Sequence, residues 1–139
     1  MPVFGQRSLD NLKGIHPDLV KVLTEAIKFT PFDFTITDGV RTTNQQQELY
    51  AKGRTVKGQI VTNADGVKSK SNHQIKSDGF GYAIDLYPFV NGSVDISDKQ
   101  NLMPIIAGNI LGTANRMGIK LEWGGLWKNI IDRPHFELK

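Results

Sequence analysis

Two histidines and one aspartate, His73, Asp85 and His135, carry side chains that could together hold a hydrolytic metal ion. They offer two imidazole nitrogens and one carboxylate, a ligand set that leaves the fourth position of a tetrahedral zinc ion open. Taken separately, each is equally compatible with a polar residue exposed on a loop or strand. Their spacing alone does not show that they converge, and convergence depends on the elements that carry them.

Composition narrows the chemistry that such a site can have. The 139-residue chain contains no cysteine and three histidines. A disulfide framework, a thiolate zinc site, an iron–sulfur cluster and a cysteine nucleophile are therefore excluded. The remaining histidine, His16, precedes Pro17 at the predicted start of a helix. Any transition-metal site must consequently use nitrogen and oxygen ligands.

Asp85 lies on a predicted strand that runs from Tyr82 to Leu86. Because strand side chains alternate between faces, Tyr82 and Leu86 share an apolar face that we expect to enter the core. Gly81 and Ala83 share the opposite face with Asp85. Two small residues beside a carboxylate are expected to leave open space there, as a metal ion or a substrate backbone would require.

The C-terminal strand repeats this arrangement. Pro134 favours an extended conformation at the residue before it. In the strand predicted from Pro134 onward, Phe136 faces the core, while His135 and Glu137 face the other way. Asp132 lies at a turn three residues before His135. The polar face of this strand therefore adds a second group of residues that can do chemistry.

Hydrophobic periodicity and capping signals predict the other elements. Thr42 and Gln45 have capping-box spacing at the start of one helix, and Ser97 and Gln100 have it at the start of another. The apolar residues expected on the buried face of this second helix are Leu102, Ile105, Ile106, Ile110, Ala114 and Met117. In chain order we predict a helix over 16–30, a strand over 34–37, a helix over 42–53, the strand over 82–86, a helix over 97–118, and strands over 119–123 and 134–138.

The segment 54–80 is predicted as a long loop, in which Ile60 and Val61 are candidates for a short strand or hairpin. Loops of this length in compact domains are usually functional or disordered. The order of the elements predicts one α+β domain over residues 1–139, with helices packed on a small, mostly antiparallel sheet. We expect no separate cell-wall-binding domain.

The net charge of +3 is concentrated in one stretch. Residues 52–78 contain six basic and two acidic residues, and this stretch includes His73. Such a stretch suits an anionic partner, either nucleic acid or a cell-wall polymer, and it is equally compatible with a solvated loop. The modest charge and the lack of interleaved aromatic residues argue against nucleic acid.

The sequence contains no apolar run of membrane-spanning length. Its first ten residues do not combine a positive region with an apolar core, so no secretory signal is predicted. We therefore expect synthesis in a cytoplasm, no export by a classical signal peptide and no stable membrane association.

Several short motifs occur in a fixed order along the chain. They are Asp38-Gly39-Val40-Arg41-Thr42, Ser71-x-His73, Gly81-x-Ala83-x-Asp85, Trp123-Gly124-Gly125 and Asp132-x-x-His135. With these motifs the chain resembles the zinc-dependent, VanY-like D-alanyl-D-alanine carboxypeptidases and L-alanyl-D-glutamate endopeptidases that hydrolyse peptidoglycan. The similarity extends from about His16 to Leu138. It is greatest to the L-alanyl-D-glutamate endopeptidases of phage endolysins and of a Bacillus cell-wall enzyme.

The sequence departs from the common family pattern at one place. Residues 74–80 separate His73 from the Gly-x-Ala-x-Asp motif, where the common form has only a few residues. Some endopeptidases of the family look similar in this respect, so the resemblance still implies His73 as a ligand.

The resemblance implies a Hedgehog/D,D-peptidase-like fold and a Zn²⁺ ion bound by His73, Asp85 and His135. It implies Asp132 as the catalytic carboxylate. It also implies that Arg41 contacts the substrate or stabilises developing charge, and that Ser71 supports the site. For Arg41, a surface ion pair with Asp38 or Glu48 is the structural alternative.

Three other assignments come from the local pattern. Glu137 is a rival for the general base, but a residue two positions along a strand from His135 lies roughly 6–7 Å away, which favours a supporting role. Trp123 is assigned to packing, and Trp127 is assigned to the wall of a substrate groove. Tyr82 and Tyr87 are assigned to packing.

The resulting prediction is an enzyme that cleaves the L-alanyl-D-glutamate bond of peptidoglycan stem peptides. We expect a monomeric phage endolysin that reaches the cell wall through a holin, with a prophage-derived or cellular autolysin as the alternative origin. The rival activity is D-alanyl-D-alanine carboxypeptidase. The rival of another class is a catalytically inactive peptidoglycan-binding module.

Overall fold

The computed structural model describes residues 2–139. Its helices are α1 (Gln6–Asn11), α2 (Pro17–Phe29), α3 (Thr43–Ala51) and α4 (Met103–Arg116), with a short 3₁₀ helix at Gly124–Leu126. Its strands are β1 (Phe34–Asp38), β2 (Ala83–Val90), β3 (Ser93–Val94), β4 (Leu121–Trp123) and β5 (His135–Leu138).

The strands form one antiparallel sheet with the order β1-β2-β5-β4, and β3 extends β2 as a short hairpin. The predicted α+β class is therefore confirmed. The two strands at the centre are β2 and β5, which carry Asp85 and His135. The β2–β5 register places these two residues directly opposite each other.

The apolar face of this sheet packs against α2 and α4. Ile36, Ile84, Leu86 and Phe136 are fully buried on that face, as strand alternation predicts. Helix α2 contributes Leu19, Val22, Leu23, Ala26 and Ile27, and α4 contributes Met103, Ile106, Ala107, Ile110 and Ala114. The core thus lies on one side of the sheet and leaves the other side for the polar residues.

Local signals predict the start of α3 correctly. The Thr42 hydroxyl accepts a hydrogen bond from Gln45 N at 3.1 Å, and Gln45 Oε1 accepts one from Thr42 N at 2.8 Å. This is a complete capping box, which satisfies two of the free N–H groups at the helix start.

The capping box predicted at Ser97 and Gln100 is wrong. Helix α4 begins at Met103, and the Asp98 carboxylate accepts hydrogen bonds from Leu102 N at 2.7 Å and Met103 N at 3.2 Å. The Asp98 side chain thus binds the first free N–H groups of α4, from a backbone in the left-handed region with φ of 47°.

The predicted buried face of α4 needs a second correction. Ile105 and Met117 are exposed by 48% and 39%, so the buried stripe is narrower than predicted. Elsewhere, α1 and β3 were not predicted at all, because both are too short to show a periodic pattern.

The long loop is largely as predicted. Ile60 and Val61 do not form the strand or hairpin considered for them and are exposed by 50% and 43%. Among residues 2–139, no helix has both the length and the apolar composition that crossing a bilayer would require.

Candidate metal centre

Asp85, His135 and His73 meet on the polar side of the sheet. Three atoms converge: His73 Nε2 lies 3.1 Å from His135 Nδ1 and 3.4 Å from Asp85 Oδ1, and His135 Nδ1 lies 3.5 Å from Asp85 Oδ1. Each residue thus offers one ligand atom to a common point. The structure brings together the three residues that the sequence singled out.

The size of this triangle fits a zinc ion. Ligands at about 2.0–2.1 Å from a tetrahedral zinc lie about 3.3 Å from one another. The three observed separations, 3.1, 3.4 and 3.5 Å, bracket that value. A nitrogen and oxygen donor set of this kind also suits a hydrolytic zinc site.

The outer nitrogen of each imidazole is held by a hydrogen bond, which leaves the inner one free. His73 Nδ1 lies 2.9 Å from the Gly39 carbonyl oxygen, which can only accept, so this nitrogen donates. His135 Nε2 lies 2.7 Å from Glu137 Oε1. Both inner nitrogens can therefore present lone pairs, in opposite tautomers, and this is the usual support of a metal-bound histidine.

Asp85 offers a candidate ligand atom, Oδ1, that is buried and has no hydrogen-bond partner within residues 2–139. A buried carboxylate oxygen without a partner is costly unless a cation compensates it. Burial by itself raises the pKa of Asp85, but the His135 and His73 imidazoles outweigh burial and hold that pKa well below its ordinary value.

The same cluster raises the affinity of His135 for a proton. Burial lowers the pKa of His135, but the Asp85 and Glu137 carboxylates outweigh burial and raise it to about 9. The three candidate ligand side chains therefore favour a positive charge between them, and a divalent cation would supply that charge.

The space beside Asp85 is filled differently from the prediction. Ala83 is fully buried, and a Cβ at Gly81 would lie 3.2 Å from the His73 carbonyl oxygen. The small residues thus make room for the segment that carries His73, and not for substrate. The Tyr82 N–H donates to Asn72 O at 2.8 Å and fixes this segment against the strand.

Asp132 lies at the mouth of the centre. Its Oδ2 is 3.8 Å from His135 Nδ1, and its side chain remains 37% exposed. Partial burial, together with the negative charge of Asp85, raises the pKa of Asp132. Its backbone is fixed, because Asp132 N donates to Gly124 O at 2.9 Å and Asp132 O accepts from His135 N at 3.2 Å.

The Trp-Gly-Gly motif supports this turn. A Cβ at Gly124 would lie 2.3 Å from Asp132 O, and a Cβ at Gly125 would lie 2.3 Å from the Trp123 ring. Trp123 is buried, stacks on Phe136 and donates from Nε1 to Arg133 O at 2.6 Å, so its assignment to packing is confirmed.

We predict that Gly124→Ala destabilises the protein by ~1–3 kcal/mol, because the added methyl group must displace the Asp132 backbone. Urea denaturation measures this loss, and zinc titration should show weaker binding because His135 moves with the turn. Gly108→Ala is the matched control: nothing lies within 4 Å of its added Cβ. Gly108 lies inside α4, where alanine is favoured over glycine by ~1 kcal/mol. Equal stability of the two variants would contradict the prediction.

Arg41 contacts both the sheet and α3. Its Nη2 lies 2.8 Å from Asp38 Oδ2 and 3.8 Å from Asp85 Oδ2, while its Nη1 donates to Gln46 Oε1 at 2.8 Å. The ion pair with Asp38, considered as a structural alternative, is therefore present. Arg41 nevertheless lines the cleft above the metal centre, so the pair and a role towards substrate are compatible.

Glu137 supports the centre from one side. Its Oε1 holds His135, and its Oε2 accepts from Asn72 Nδ2 at 2.7 Å. Both carboxylate oxygens are thus engaged, which fits the supporting role that strand spacing favours for this residue.

We predict that Glu137→Gln weakens zinc binding roughly 10- to 100-fold, because the amide is a poorer acceptor for the imidazole N–H. Competition with a chromogenic chelator measures the affinity. At saturating zinc, kcat should fall far less than in a variant of the proposed base, Asp132. A zinc affinity equal to that of the unmodified protein would contradict this role.

An open cleft of about 670 Å³ lies over these residues. Ser71 lines it, and the Ser71 hydroxyl accepts from His73 N at 3.1 Å. Trp127 forms part of the wall, with its ring centroid 4.9 Å from that of His135. Tyr87, assigned to packing from the sequence, also faces this cleft. Tyr82 packs against the hydrophobic core, as assigned, and its hydroxyl donates to Asp78 Oδ2 at 2.5 Å.

Sequence reasoning missed two buried glutamines beside the site, Gln46 and Gln74. Gln74 Oε1 accepts from Ser71 N at 2.9 Å, and its Nε2 donates to Gly66 O at 3.0 Å. A polar residue in a helix or loop carries no periodic signal of burial.

The fold and the site together define a small α+β protein with a candidate metal centre at the floor of an open cleft. Comparison with known proteins extends this description. Residues 2–138 match the model of the family described as phage L-alanyl-D-glutamate peptidase. The chain belongs to that peptidase family.

Characterised relatives cover nearly all of the chain. It is 32% identical over 136 residues to the L-alanyl-D-glutamate peptidase of Escherichia phage T5, covering 98% of this chain and 88% of that protein. It is 34% identical over 135 residues to the peptidoglycan L-alanyl-D-glutamate endopeptidase CwlK of Bacillus subtilis, covering 89% and 73% respectively.

A solved structure supports the same relationship. The crystal structure of the Serratia marcescens L-Ala D-Glu endopeptidase ChiX aligns with a TM-score of 0.75 and 31% identity. The alignment covers 98% of this chain and 89% of that one.

Proposed function

We propose that this protein is a zinc-dependent endopeptidase that hydrolyses the L-alanyl-D-glutamate bond of peptidoglycan stem peptides. The observation that carries the proposal is the triangle of His73 Nε2, His135 Nδ1 and Asp85 Oδ1, with sides of 3.1–3.5 Å, at the floor of the cleft. The peptidase family and the activities of its relatives support the choice of bond.

In this proposal His73, Asp85 and His135 hold the zinc ion, each through its inner donor atom. When bound, zinc supplies Lewis-acid polarisation of the scissile carbonyl and lowers the pKa of water. Gly39 O and Glu137 keep the two imidazoles oriented for this task.

Asp132 is the proposed general base and acid. Its carboxylate is half-open to the cleft, close to His135, and its raised pKa favours return of the proton. It removes a proton from the attacking water and delivers a proton to the leaving amine nitrogen of D-glutamate. The products are a peptide that ends in the L-alanine carboxylate and one that begins with the free amine.

Arg41 is the proposed partner of negative charge on the substrate. Its guanidinium lines the cleft and has N–H groups beyond those bound to Asp38 and Gln46. These can stabilise an oxyanion or hold the D-glutamate carboxylate. A higher KM in Arg41→Ala would indicate the carboxylate role, and a lower kcat would indicate the oxyanion role.

Mass spectrometry of digested muropeptides tests the proposed bond. New free L-alanine carboxyl groups paired with D-glutamate amines are expected. Release of terminal D-alanine would instead indicate a D-alanyl-D-alanine carboxypeptidase. Binding to peptidoglycan without either product, with and without added zinc, would indicate a binding module that lacks activity.

We further propose that this single peptidase domain acts as a phage endolysin. The match to the phage peptidase family and to the T5 peptidase supports this role. In this role the protein is a monomer. It reaches the cell wall after release through a holin. Co-expression with a holin should clear a growing culture, whereas either gene alone should not.

A further inference from the structure

The buried side-chain amide of Gln46 connects Arg41, the cation that lines the cleft, to residues of the cleft wall. Gln46, on α3, is 0% exposed. Its Oε1 accepts from Arg41 Nη1 at 2.8 Å, and its Nε2 donates to Ala64 O at 2.8 Å and to Thr62 Oγ1 at 3.3 Å. The side chain therefore contacts two functional parts of the cleft at once.

The orientation of this amide is fixed by its partners. A guanidinium can only donate, so it must face the amide oxygen, while the Ala64 carbonyl can only accept and must face the amide nitrogen. Both N–H bonds of the amide are used, and a flipped amide would lose both strong contacts. Gln46 thus holds one defined geometry between Arg41 and the segment 62–64.

Arg41 is held at two points by this arrangement. Asp38 binds Nη2 and Gln46 binds Nη1, each at 2.8 Å. One contact would leave the guanidinium free to rotate about it, whereas two contacts on different nitrogens fix its plane. The Arg41 side chain is 12% exposed, and it lines the cleft.

The amide nitrogen of Gln46 fixes the part of the cleft wall formed by residues 62–64. Thr62 and Ala64 line the same cleft as Arg41, within a long segment without helix or strand. Gly66 packs closely on Gln46, since a Cβ at Gly66 would lie 3.2 Å from Gln46 Cβ. The Gln46 side chain thus anchors this part of the loop on α3.

We propose that Gln46 is a positioning residue, which sets the plane of the Arg41 guanidinium and ties the 62–64 wall of the cleft to it. This inference rests on the proposed function, because it assigns Gln46 an effect that acts through the role of Arg41. Gln46 itself is fully buried and does not touch substrate.

A double-mutant cycle tests the proposal, with muropeptide cleavage by the unmodified enzyme as the reference. Gln46→Met keeps the volume and removes the hydrogen bonds. We expect kcat/KM to fall roughly 10- to 100-fold, the range for loss of a hydrogen bond to a charged group. Zinc content should stay at one ion per chain. In the Arg41→Ala background, the same substitution should change kcat/KM by less than about twofold.

Two further variants and a spectrum complete the test. Gln47→Met changes an exposed neighbour on α3 and should leave kcat/KM unchanged. Gln46→Glu keeps an oxygen for Arg41 Nη1 and should retain more activity than Gln46→Met; it also serves if Gln46→Met does not fold. The Arg41 Nε–H signal in ¹H–¹⁵N spectra should shift or broaden in Gln46→Met.

The outcomes separate this inference from the proposed function. Equal losses from Gln46→Met in both backgrounds, or unaltered kcat/KM and an unaltered Arg41 signal, would overturn the positioning role. An unmodified protein that binds zinc and cleaves no muropeptide would overturn the proposed function, while the Arg41 spectrum would still report whether Gln46 holds the guanidinium.

Discussion

Asp132→Asn should lower kcat by roughly 10²- to 10⁴-fold, the usual contribution of a positioned general base. The amide keeps the size of the side chain but cannot accept the proton of the attacking water. Because Asp132 is not one of the three converging donors, zinc should remain at one ion per chain, measured by elemental analysis. Its backbone hydrogen bonds to Gly124 and His135 are also retained, so stability should change little.

Glu137 provides the comparison for this prediction, since it is the other carboxylate beside His135. Its two oxygens are already bound to His135 and Asn72, whereas the Asp132 side chain is open to the cleft. If Glu137→Gln abolished turnover with zinc bound and Asp132→Asn remained active, the assignment of the base would be wrong.

Removal of metal should reduce turnover to background and lower the melting temperature by roughly 10 °C. An ion present at about a thousand times its Kd stabilises the folded state by ~4 kcal/mol, and a shift of this size follows for a chain of this length. Calorimetry before and after dialysis against chelator, and after one equivalent of zinc, measures the effect.

Asp85→Ala is the control for metal removal. This variant lacks the carboxylate ligand, so its melting temperature should not respond to zinc. Full turnover in protein shown to be metal-free, or a zinc-dependent rise in the melting temperature of Asp85→Ala, would exclude the proposed centre.

The parts of the site that lie on strands could be predicted from the sequence. Strand alternation places Asp85 on the polar face of β2 and His135 on the polar face of β5. The two face each other because the strands pair in antiparallel register. Local alternation is sufficient for the first statement, whereas the pairing of β2 with β5 is a long-range contact that the local pattern does not predict.

The parts contributed by loops could not be predicted in this way. His73 reaches the centre because Gly39 O binds its ring and Tyr82 N binds Asn72 O, and both contacts join distant parts of the chain. Composition and residue type placed His73 in the candidate ligand set, and the resemblance to known peptidases implied its role, but neither fixed where the loop carries it. The failed cap at Ser97 has a related cause, since α4 begins at Met103, several residues later than predicted, and its first N–H groups bind Asp98.

The segment between His73 and β2 has a consequence for engineering. Residues 75–79 are exposed, and the chain is fixed on both sides of them by Tyr82 N to Asn72 O at 2.8 Å and by His16 N to Gly81 O at 2.9 Å. Extra residues here extend outwards and leave His73 in place, which explains how a lengthened motif keeps its histidine. Exposed, well-anchored loop tips of this kind tolerate grafted segments. A wall-targeting peptide inserted at 77–78 would therefore change which cells the protein reaches without altering the centre that it carries there.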